Sequence, residues 1–408
     1  MIQIKPYLSV KSCCECGGDL EFSELLWQGL HVCEKSVCTS CKQTRIASLP
    51  VNQSVLEQYF YYPESRKLTG SDGNTAKANW FSSRLIAISD PIVKSVNIEI
   101  EILNKHDEVI VVNTLDYIYG HSLLFLLNLQ RIIKAEKKPG IIVLVQPMLK
   151  WLIPRQSVAE IWTVNLGFKE FNNYYARLSE RINTELGRFS KVWLSRGHPI
   201  PSNENIEMER FTGIKPFDFG DPGSPRITFI WREDPDRLWI RNIFILKVFK
   251  KLGLSGILLP IHRYRVSRFM RLMRKKLGTE YRYTVAGLGR YGSIPSFADD
   301  KRILSFNEEI ERSLCRVYSE SILVIGVHGS AMLLPSAHAG MAISMMPSRR
   351  WGNFAEDILF SEDDVRLASF QRRIIPLNLN ILDVLDIAVD MITGREYFIK
   401  KFIHSEDL

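Results

Sequence analysis

The feature that most constrains this chain is a stretch of 27 residues, 321–347, that contains no Asp, Glu, Lys or Arg. Two short apolar runs, 322–327 and 341–346, flank His328-Gly329-Ser330 and about ten residues rich in Ala and Leu. A buried strand, a Gly-containing turn, a short helix and a second strand form the pattern of a parallel-sheet crossover. We therefore predict an α/β fold and not a membrane span, because polar residues and Pro335 interrupt the stretch.

The turn inside this stretch is a candidate binding site. Ligands of parallel sheets bind at the carboxyl ends of the strands, which is where His328, Gly329 and Ser330 are expected. Backbone N–H groups at the start of the following helix suit an anion such as a phosphate. The alternative is that His328 is only a buried polar residue of an ordinary βαβ unit.

The cysteines predict a metal site near the N-terminus. Six of the seven precede residue 42, and two CxxC pairs are separated by 21 residues. Two such turns can supply the four thiolates of a tetrahedral zinc site. The first residues lack the apolar core of a secretory signal, which favours a reducing compartment and metal ligands over disulfides. The predicted ligands of a structural zinc are Cys13, Cys16, Cys38 and Cys41, with Cys14, Cys33 and His31 as alternates.

Strand-like and helix-like segments alternate on both sides of a Pro- and Gly-rich stretch, 201–225. Such alternation argues for parallel α/β layers, and two such domains would form a cleft where ligands bind. The predicted divisions are a zinc-ribbon-like module over 1–50, a linker over 51–80, α/β domains over 81–200 and 226–375, the linker 201–225, and C-terminal helices over 376–408. The predicted elements include helices over 122–135, 171–189, 235–251 and 266–277 and a strand over 256–261.

Two further groups of polar residues follow predicted strands. Arg232 ends the strand 227–231 and Arg237 lies five residues later, so their guanidinium groups could hold phosphate oxygens. A salt bridge to a neighbouring acid is the alternative for Arg232. Asp116 and His121 follow another strand, as a general base requires, although a capping Asp and a structural His fit the same pattern.

Two other motifs are a glycine pattern and a basic segment, both in the second half of the chain. The Gly287-x-Gly289-x-x-Gly292 pattern matches a dinucleotide fingerprint, but Ser-Ile-Pro-Ser follows it where a helix is required, so we predict a loop. Segment 262–278 holds seven Lys or Arg and no acid, with its apolar residues at helical spacing. It is predicted to be a surface helix covering the sheet. Contact with anionic lipid, an acceptor or nucleic acid is the alternative.

Three segments together resemble glycosyltransferase family 61. Residues 119–124, YGHSLL, resemble its N-terminal motif, and the strand ending in Arg232 with Arg237 downstream resembles its arginine-containing strand. Residues 324–331, VIGVHGSA, resemble its strand running into His-Gly-Ala-Gly. The order and spacing agree over roughly 105–360, but Ala331 stands where the family has its second glycine.

The resemblance implies a GT-B fold, with two Rossmann-like domains facing across a cleft. It implies inverting transfer from a nucleotide-sugar donor, without a catalytic metal, to a polysaccharide or glycoconjugate acceptor that is a glycan or is lipid-linked. The base would be His121 or Asp116. By the same resemblance the donor-binding residues would be Arg232, Arg237, His328, Gly329 and Ser330, with Glu356 at the ribose.

The expected location is the cytoplasm, peripheral to the inner membrane face through the 262–278 helix. A net charge of +8 suits an anionic ligand or surface, but the cysteine module has too few basic residues to predict nucleic acid as a partner. One alternative is a non-catalytic zinc-ribbon protein with a degenerate GT-B scaffold that binds sugar or nucleotide. Another is a nucleic-acid-associated factor that uses the ribbon and the basic helix.

Overall fold

A computed structural model describes residues 1–7, 16–29, 31–55, 58–70, 84–134, 139–197, 207–354 and 364–402. The chain divides into two compact units, Met1–Ser202 and Asn203–Leu408. Both units combine helices with parallel sheet, so the predicted α/β class is confirmed. In the described ranges no helix has both the length and the apolarity to cross a membrane.

The first unit contains eleven described strands and two described α-helices of five residues or more. The strands are β1 (Ile2–Lys5), β2 (Leu20–Gln28), β3 (His31–Cys38), β4 (Thr44–Ser48), β5 (Tyr59–Tyr62), β6 (Lys67–Gly70), β7 (Ile98–Ile102), β8 (Glu108–Asn113), β9 (Gly140–Val145), β10 (Glu160–Val164) and β11 (Lys191–Leu194). The helices are α1 (Tyr119–Ile133) and α2 (Ala176–Leu186).

The larger sheet of this unit has the order β1-β11-β8-β9-β10-β7. Its four central strands, β8 to β11, run parallel, and in the same direction across the sheet their order is 4-1-2-3 when they are numbered along the chain. The two edge strands are antiparallel to their neighbours: β1 pairs with β11, and β7 pairs with β10. Every residue of β9 is buried, because helices and loops cover both faces of the parallel core.

The smaller sheet is an antiparallel meander, β2-β3-β4-β5-β6, that carries Cys33 and Cys38 on β3. The predicted linker over 51–80 is therefore wrong in part, since β5 and β6 extend this sheet. Its aromatic run suits a strand, and Tyr59 and Tyr61, two residues apart on one face, are buried in the core. Residues 71–80 lie outside the described ranges.

The second unit contains one sheet flanked by helices. Its strands are β12 (Arg226–Arg232), β13 (Arg282–Leu288), β14 (Ala298–Ile303), β15 (Ser321–Val327), β16 (Met341–Met346) and β17 (Arg372–Pro376). Its helices are α3 (Met208–Thr212), α4 (Ile243–Lys251), α5 (Leu259–Leu277), α6 (Glu308–Ser319), α7 (Leu333–His338), α8 (Val365–Gln371) and α9 (Ile381–Phe402).

All six strands of the second unit run parallel, in the order β14-β13-β12-β15-β16-β17. Numbered along the chain this order is 3-2-1-4-5-6, the order of the doubly wound dinucleotide-binding fold. The crossover predicted for 321–347 is confirmed, because β15, α7 and β16 fill that stretch and the two strands pair parallel. The strand order reverses between β12 and β15, which makes the carboxyl ends of these strands a topological switch point.

Helix α5 has the amphipathic character predicted for it. Val266, Phe269, Met270, Met273 and Leu277 all lie in the core beneath the sheet. The helix begins earlier than predicted, at Leu259, and the strand expected over 256–261 is wrong. That stretch forms a 3-10 turn and the first turn of α5, since a short apolar run does not by itself distinguish strand from helix.

Two other predicted helices are shorter than expected. The helix over 235–251 begins only at Ile243, because the side chain of Asn242 accepts hydrogen bonds from the amides of Phe244 and Ile245 and caps it. The helix over 171–189 is confined to α2, and a 3-10 turn, Phe168–Asn172, precedes it.

The glycine pattern after β13 forms a loop, as expected. Residues 289–297 lead directly from β13 to β14 and contain no helix. Gly287 has φ of +118°, and a Cβ there would overlap the backbone of Trp231 on the neighbouring strand. Gly287 therefore serves close packing of one backbone against another.

Two buried histidines predict how stability depends on pH. Burial lowers the pKa of His262 to about 3 and that of His338 to about 4, so both are neutral in the folded protein at pH 5. The unfolded chain binds more protons below its histidine pKa of about 6.5, so stability falls as the pH drops from about 6.5 towards 4.

We expect His338→Gln to lose less unfolding free energy between pH 7 and pH 5 than the wild type, by about 2 kcal/mol. Urea unfolding followed by circular dichroism at both pH values measures this difference. His106→Gln, in an exposed loop, serves as the control and should keep the wild-type pH dependence. Equal slopes for His338→Gln and the wild type would contradict the assignment.

Candidate functional site

The switch point of the second unit brings Arg237 and His328 together. The Arg237 guanidinium donates a hydrogen bond to the backbone carbonyl of His328, and the His328 amide donates to Met345 on β16 at 3.0 Å. Gly329 has φ of +138°, and a Cβ at this position would overlap the Arg237 guanidinium. Glycine is thus required here both for the backbone conformation and for the close approach of the arginine.

The helix that follows this turn is short. Ser330 opens a 3-10 turn, Ser330–Met332, and α7 has only six residues. A helix of this length adds little dipole at its start. Positive charge at the switch point therefore comes mainly from Arg237.

Arg232 is held differently. Its guanidinium pairs with the Asp234 carboxylate, with Nε 2.7 Å from Oδ2, which is the salt-bridge alternative that the sequence left open. The next residue, Glu233, accepts hydrogen bonds from the Trp231 indole at 2.9 Å and the Tyr291 amide at 2.6 Å. Glu233 therefore fastens the glycine loop to the end of β12.

An apolar cavity of about 160 Å³ opens beside the same edge of the sheet. Met346 lines this cavity. It directly follows Met345, whose carbonyl accepts the hydrogen bond from the His328 amide, so the cavity lies close to the His328 turn. Arg241 lies at its margin and donates to the Asn378 carbonyl at 3.0 Å. Its apolar lining consists mainly of Ile240, Ile243, Met346, Trp351 and Leu377.

The first unit carries an Asp–His pair at the carboxyl end of β8. Asp116 is fully buried, and its Oδ2 lies 3.1 Å from Nδ1 of His121, whose side chain is 19% exposed. The other carboxylate oxygen of Asp116 accepts the Ile118 amide at 2.8 Å. A buried carboxylate that orients a partly exposed imidazole is an arrangement suited to a general base.

Two neighbours that sequence reasoning missed support this pair. Gln146, directly after β9, donates to the Asp116 carbonyl, and Asn113 makes an Asx turn by accepting the Leu115 amide at 3.1 Å. Glu233 in the second unit was missed as well. Asn113, Gln146 and Glu233 each lie at or just after the end of an apolar parallel strand. That position in the sequence could have identified them as candidate site residues.

Three of the four predicted zinc ligands are brought together at one end of the smaller sheet. The Sγ atoms of Cys16, Cys38 and Cys41 lie within 4.8 Å of one another, and those of Cys16 and Cys38 are 3.4 Å apart. Zn–S bonds of about 2.3 Å place tetrahedral thiolates roughly 3.8 Å apart, so the three sulfurs fit a metal ion. Cys13, the predicted fourth ligand, lies outside the described residues.

The backbone prepares this cluster for metal binding. The amide of Cys41 points at Cys38 Sγ from 3.4 Å, and hydrogen bonding from this amide lowers the pKa of the Cys38 thiol to about 6. A Cβ on Gly18 would meet the Ser40 side chain, so the first turn also needs a glycine. The alternates Cys33 and His31 are buried within β3 and are not members of this cluster.

Of the remaining predicted site residues, Glu356 lies outside the described ranges. Five residues predicted to bind a donor lie at the carboxyl edge of the second unit's sheet: Arg232, Arg237, His328, Gly329 and Ser330.

No protein-family model matches this chain, and a search of the curated proteins finds no match either.

The cysteine cluster predicts bound zinc that depends on particular thiols. We expect about one zinc per chain in the purified wild type, and a fall to below roughly a tenth of that in Cys38→Ser, because a three-ligand remnant binds far more weakly. Elemental analysis by mass spectrometry measures the ratio. Cys33→Ala is the matched control and should retain zinc. Zinc-free wild type, or zinc loss only in Cys33→Ala, would refute the site.

Proposed function

We propose that this protein is an inverting glycosyltransferase that moves a sugar from a nucleotide-sugar donor to a glycan or lipid-linked acceptor, with no catalytic metal. The observation that carries the proposal is the Arg237 guanidinium hydrogen-bonded to the His328 carbonyl at the switch point. The resemblance of three segments to glycosyltransferase family 61 agrees with it, as do the parallel cores of both units, which we interpret as Rossmann-like domains of a GT-B enzyme.

The donor's diphosphate is assigned to the turn at His328, Gly329 and Ser330. A guanidinium there stabilises the negative charge that develops when the glycosidic bond to the diphosphate breaks. Arg232 can add a second cation if a donor phosphate displaces Asp234 from it. Arginine can neutralise the leaving group without a divalent ion, which is why the proposal requires no metal in catalysis.

The donor's base is assigned to the neighbouring 160 Å³ cavity. A dry apolar cavity of about 150 Å³ accommodates a single six-membered ring. Trp351 on its rim offers a face for stacking, which is a common way for proteins to hold a nucleobase. The cavity therefore favours a pyrimidine nucleotide, with a diphosphate reaching the His328 turn.

His121 is assigned as the base of the transfer. Its imidazole takes the proton of the acceptor hydroxyl while that oxygen bonds to the anomeric carbon of the donor. The bond from that carbon to the diphosphate breaks, and the diphosphate leaves with the electron pair, which inverts the configuration. Asp116 positions the imidazole and stabilises its protonated form.

The second candidate is a scaffold that binds nucleotide and catalyses nothing. It is favoured by Ser330-Ala331, which stands where the resembling family has Ala-Gly, and by the Arg232–Asp234 pair. Binding without transfer would identify this alternative.

The diphosphate assignment predicts which nucleotides bind and which variant loses them. In calorimetric titrations with UDP-, GDP-, ADP- and CMP-sugars, we expect micromolar binding of a UDP-sugar, and weaker binding of a CMP-sugar because it has one phosphate. Arg237→Gln keeps a donor for the His328 carbonyl but removes the charge, and should weaken binding by about tenfold or more.

Arg282→Ala is the matched control for this titration. Arg282 begins β13 at the opposite, amino edge of the same sheet and should bind like the wild type. If the wild type binds none of these nucleotides, both candidate functions are wrong. If Arg237→Gln binds like the wild type, the diphosphate site has been misplaced.

The base assignment predicts a loss of turnover without a loss of binding. His121→Ala should lower donor hydrolysis or transfer by about 10²–10⁴-fold while nucleotide affinity stays unchanged. Asp116→Asn, which preserves the shape of the buried side chain, should lower turnover less. His106→Ala, just before the amino end of β8, is the control and should remain active. Undiminished turnover in His121→Ala would remove it from the mechanism.

A further inference from the structure

Residues 243–264 expose an unusual number of large apolar side chains. Eight of the 21 exposed large hydrophobic residues in the described chain fall within these 22 residues. Phe244 is 71% exposed and Leu252 is 63% exposed. We call this region the 243–264 surface. Concentrated apolar exposure of this kind marks an interaction site, whereas scattered single residues do not.

Helix α4 has one face toward the protein interior and an opposite face exposed to solvent. Leu246 faces inward and packs with Leu238, Ile240 and Leu258, and Phe249 packs against the same cluster. The residues at four-residue spacing on the opposite side are Phe244, Val248 and Leu252, all exposed. Since i and i+4 lie on one face of a helix, these three form an outward apolar stripe.

A second stripe continues from the turn after α4 into α5. Ile257 and Ile261 are four residues apart, and Tyr264 follows three residues later, all exposed. Leu258, next to Ile257, is buried in the same cluster as Leu246. The exposed residues of both stripes therefore face away from one common cluster.

The segment that carries this surface is strongly basic, and Asp236, just before it, pairs with Lys250 and Arg349. Residues 237–279 contain twelve Lys or Arg and no Asp or Glu, so this segment contributes +12 while the whole chain carries +8. The remaining residues therefore carry a net charge of −4. Lys247 and Lys251 lie beside the outward stripe of α4, and both are exposed. Arg268 extends from α5 and donates to the Tyr264 hydroxyl at 3.1 Å.

We propose that the 243–264 surface binds a bilayer that contains anionic lipids, with its apolar side chains in the boundary between headgroups and acyl chains. Apolar residues flanked by lysines are the arrangement that interfacial helices use, with the cations at the lipid phosphates. Binding of this kind anchors the second unit without crossing the bilayer. It is independent of the proposed transferase activity.

Charge separates the lipid surface from two other partners. A symmetric contact with a second copy would bring two acid-free, positive segments together, which is repulsive. Nucleic acid would neutralise the lysines but would leave Phe244 and Leu252 in water. Of these three partners, only an anionic bilayer both attracts the cations and buries the apolar stripe.

Flotation of the full-length protein with vesicles tests the proposal. The probes are vesicles of phosphatidylcholine with 30% phosphatidylglycerol, and vesicles of phosphatidylcholine alone. We expect binding to the anionic vesicles and at least about tenfold weaker binding for the double variant Phe244→Ser/Leu252→Ser. Lys247→Glu/Lys251→Glu should also weaken binding, and should make the remaining binding less sensitive to added salt than that of the wild type.

Two control variants make the result specific to this surface. Leu304→Ser removes an apolar side chain that is 74% exposed elsewhere in the second unit and should bind like the wild type. Lys275→Glu/Lys276→Glu changes two exposed charges at the far end of α5 and should have the smaller effect of the two charge variants.

The proposal is overturned if the wild type does not float with the anionic vesicles, or if Phe244→Ser/Leu252→Ser floats as the wild type does. It is also overturned if light scattering shows a dimer that this double variant abolishes, or if the surface binds duplex DNA in preference to the vesicles.

Discussion

The parallel pairing of β12 with β15 is the contact on which the candidate donor site depends. Ile230 lies opposite Gly326 in this register, and a Cβ on Gly326 would crowd Ile230 and Met332. The two strands can therefore lie side by side and end at the same level. Because each chain segment then turns away from the sheet, Arg237 and the His328 turn meet although 91 residues separate them in sequence.

Much of the structure around the candidate donor site could be predicted from the sequence, because it depends on residues that are close together in the chain. An apolar stretch without formal charge that is interrupted by His-Gly-Ser predicts a buried crossover between parallel strands. The amphipathic α5 was equally predictable, since its periodicity is set by the core beneath it. The arginine–carbonyl contact was not predictable, because it depends on strand register and on a positive φ at Gly329.

Several of the strands that sequence reasoning missed lie at the edges of sheets, whereas β10 is a buried strand inside the larger sheet. β14 reads ADDKRI and β17 reads RRIIP, and neither has the apolar run of a central strand. Edge strands are half solvated, so backbone pairing to a neighbour decides their structure more than their side chains do. The same reason explains β6, the edge strand of the cysteine-bearing sheet, which pairs with β5 where a linker was expected.

The cysteine-bearing sheet is joined to the rest of its unit and is not an appended module. The Trp27 indole on β2 donates to Asn183 on α2 at 2.8 Å, and the Trp27 amide donates to Ser179 at 3.0 Å. A zinc ion at Cys16, Cys38 and Cys41 would stabilise the turns at one end of this sheet. We therefore expect the metal to support the fold of the first unit and to take no part in the proposed transfer.

The most direct test of the central claim is a crystal structure of the protein with uridine diphosphate. We predict phosphate oxygens within hydrogen-bonding distance of the Arg237 guanidinium and the Gly329–Ser330 backbone, with the uracil ring in the cavity beside Trp351. A nucleotide bound elsewhere, with the His328 turn untouched, would contradict the account.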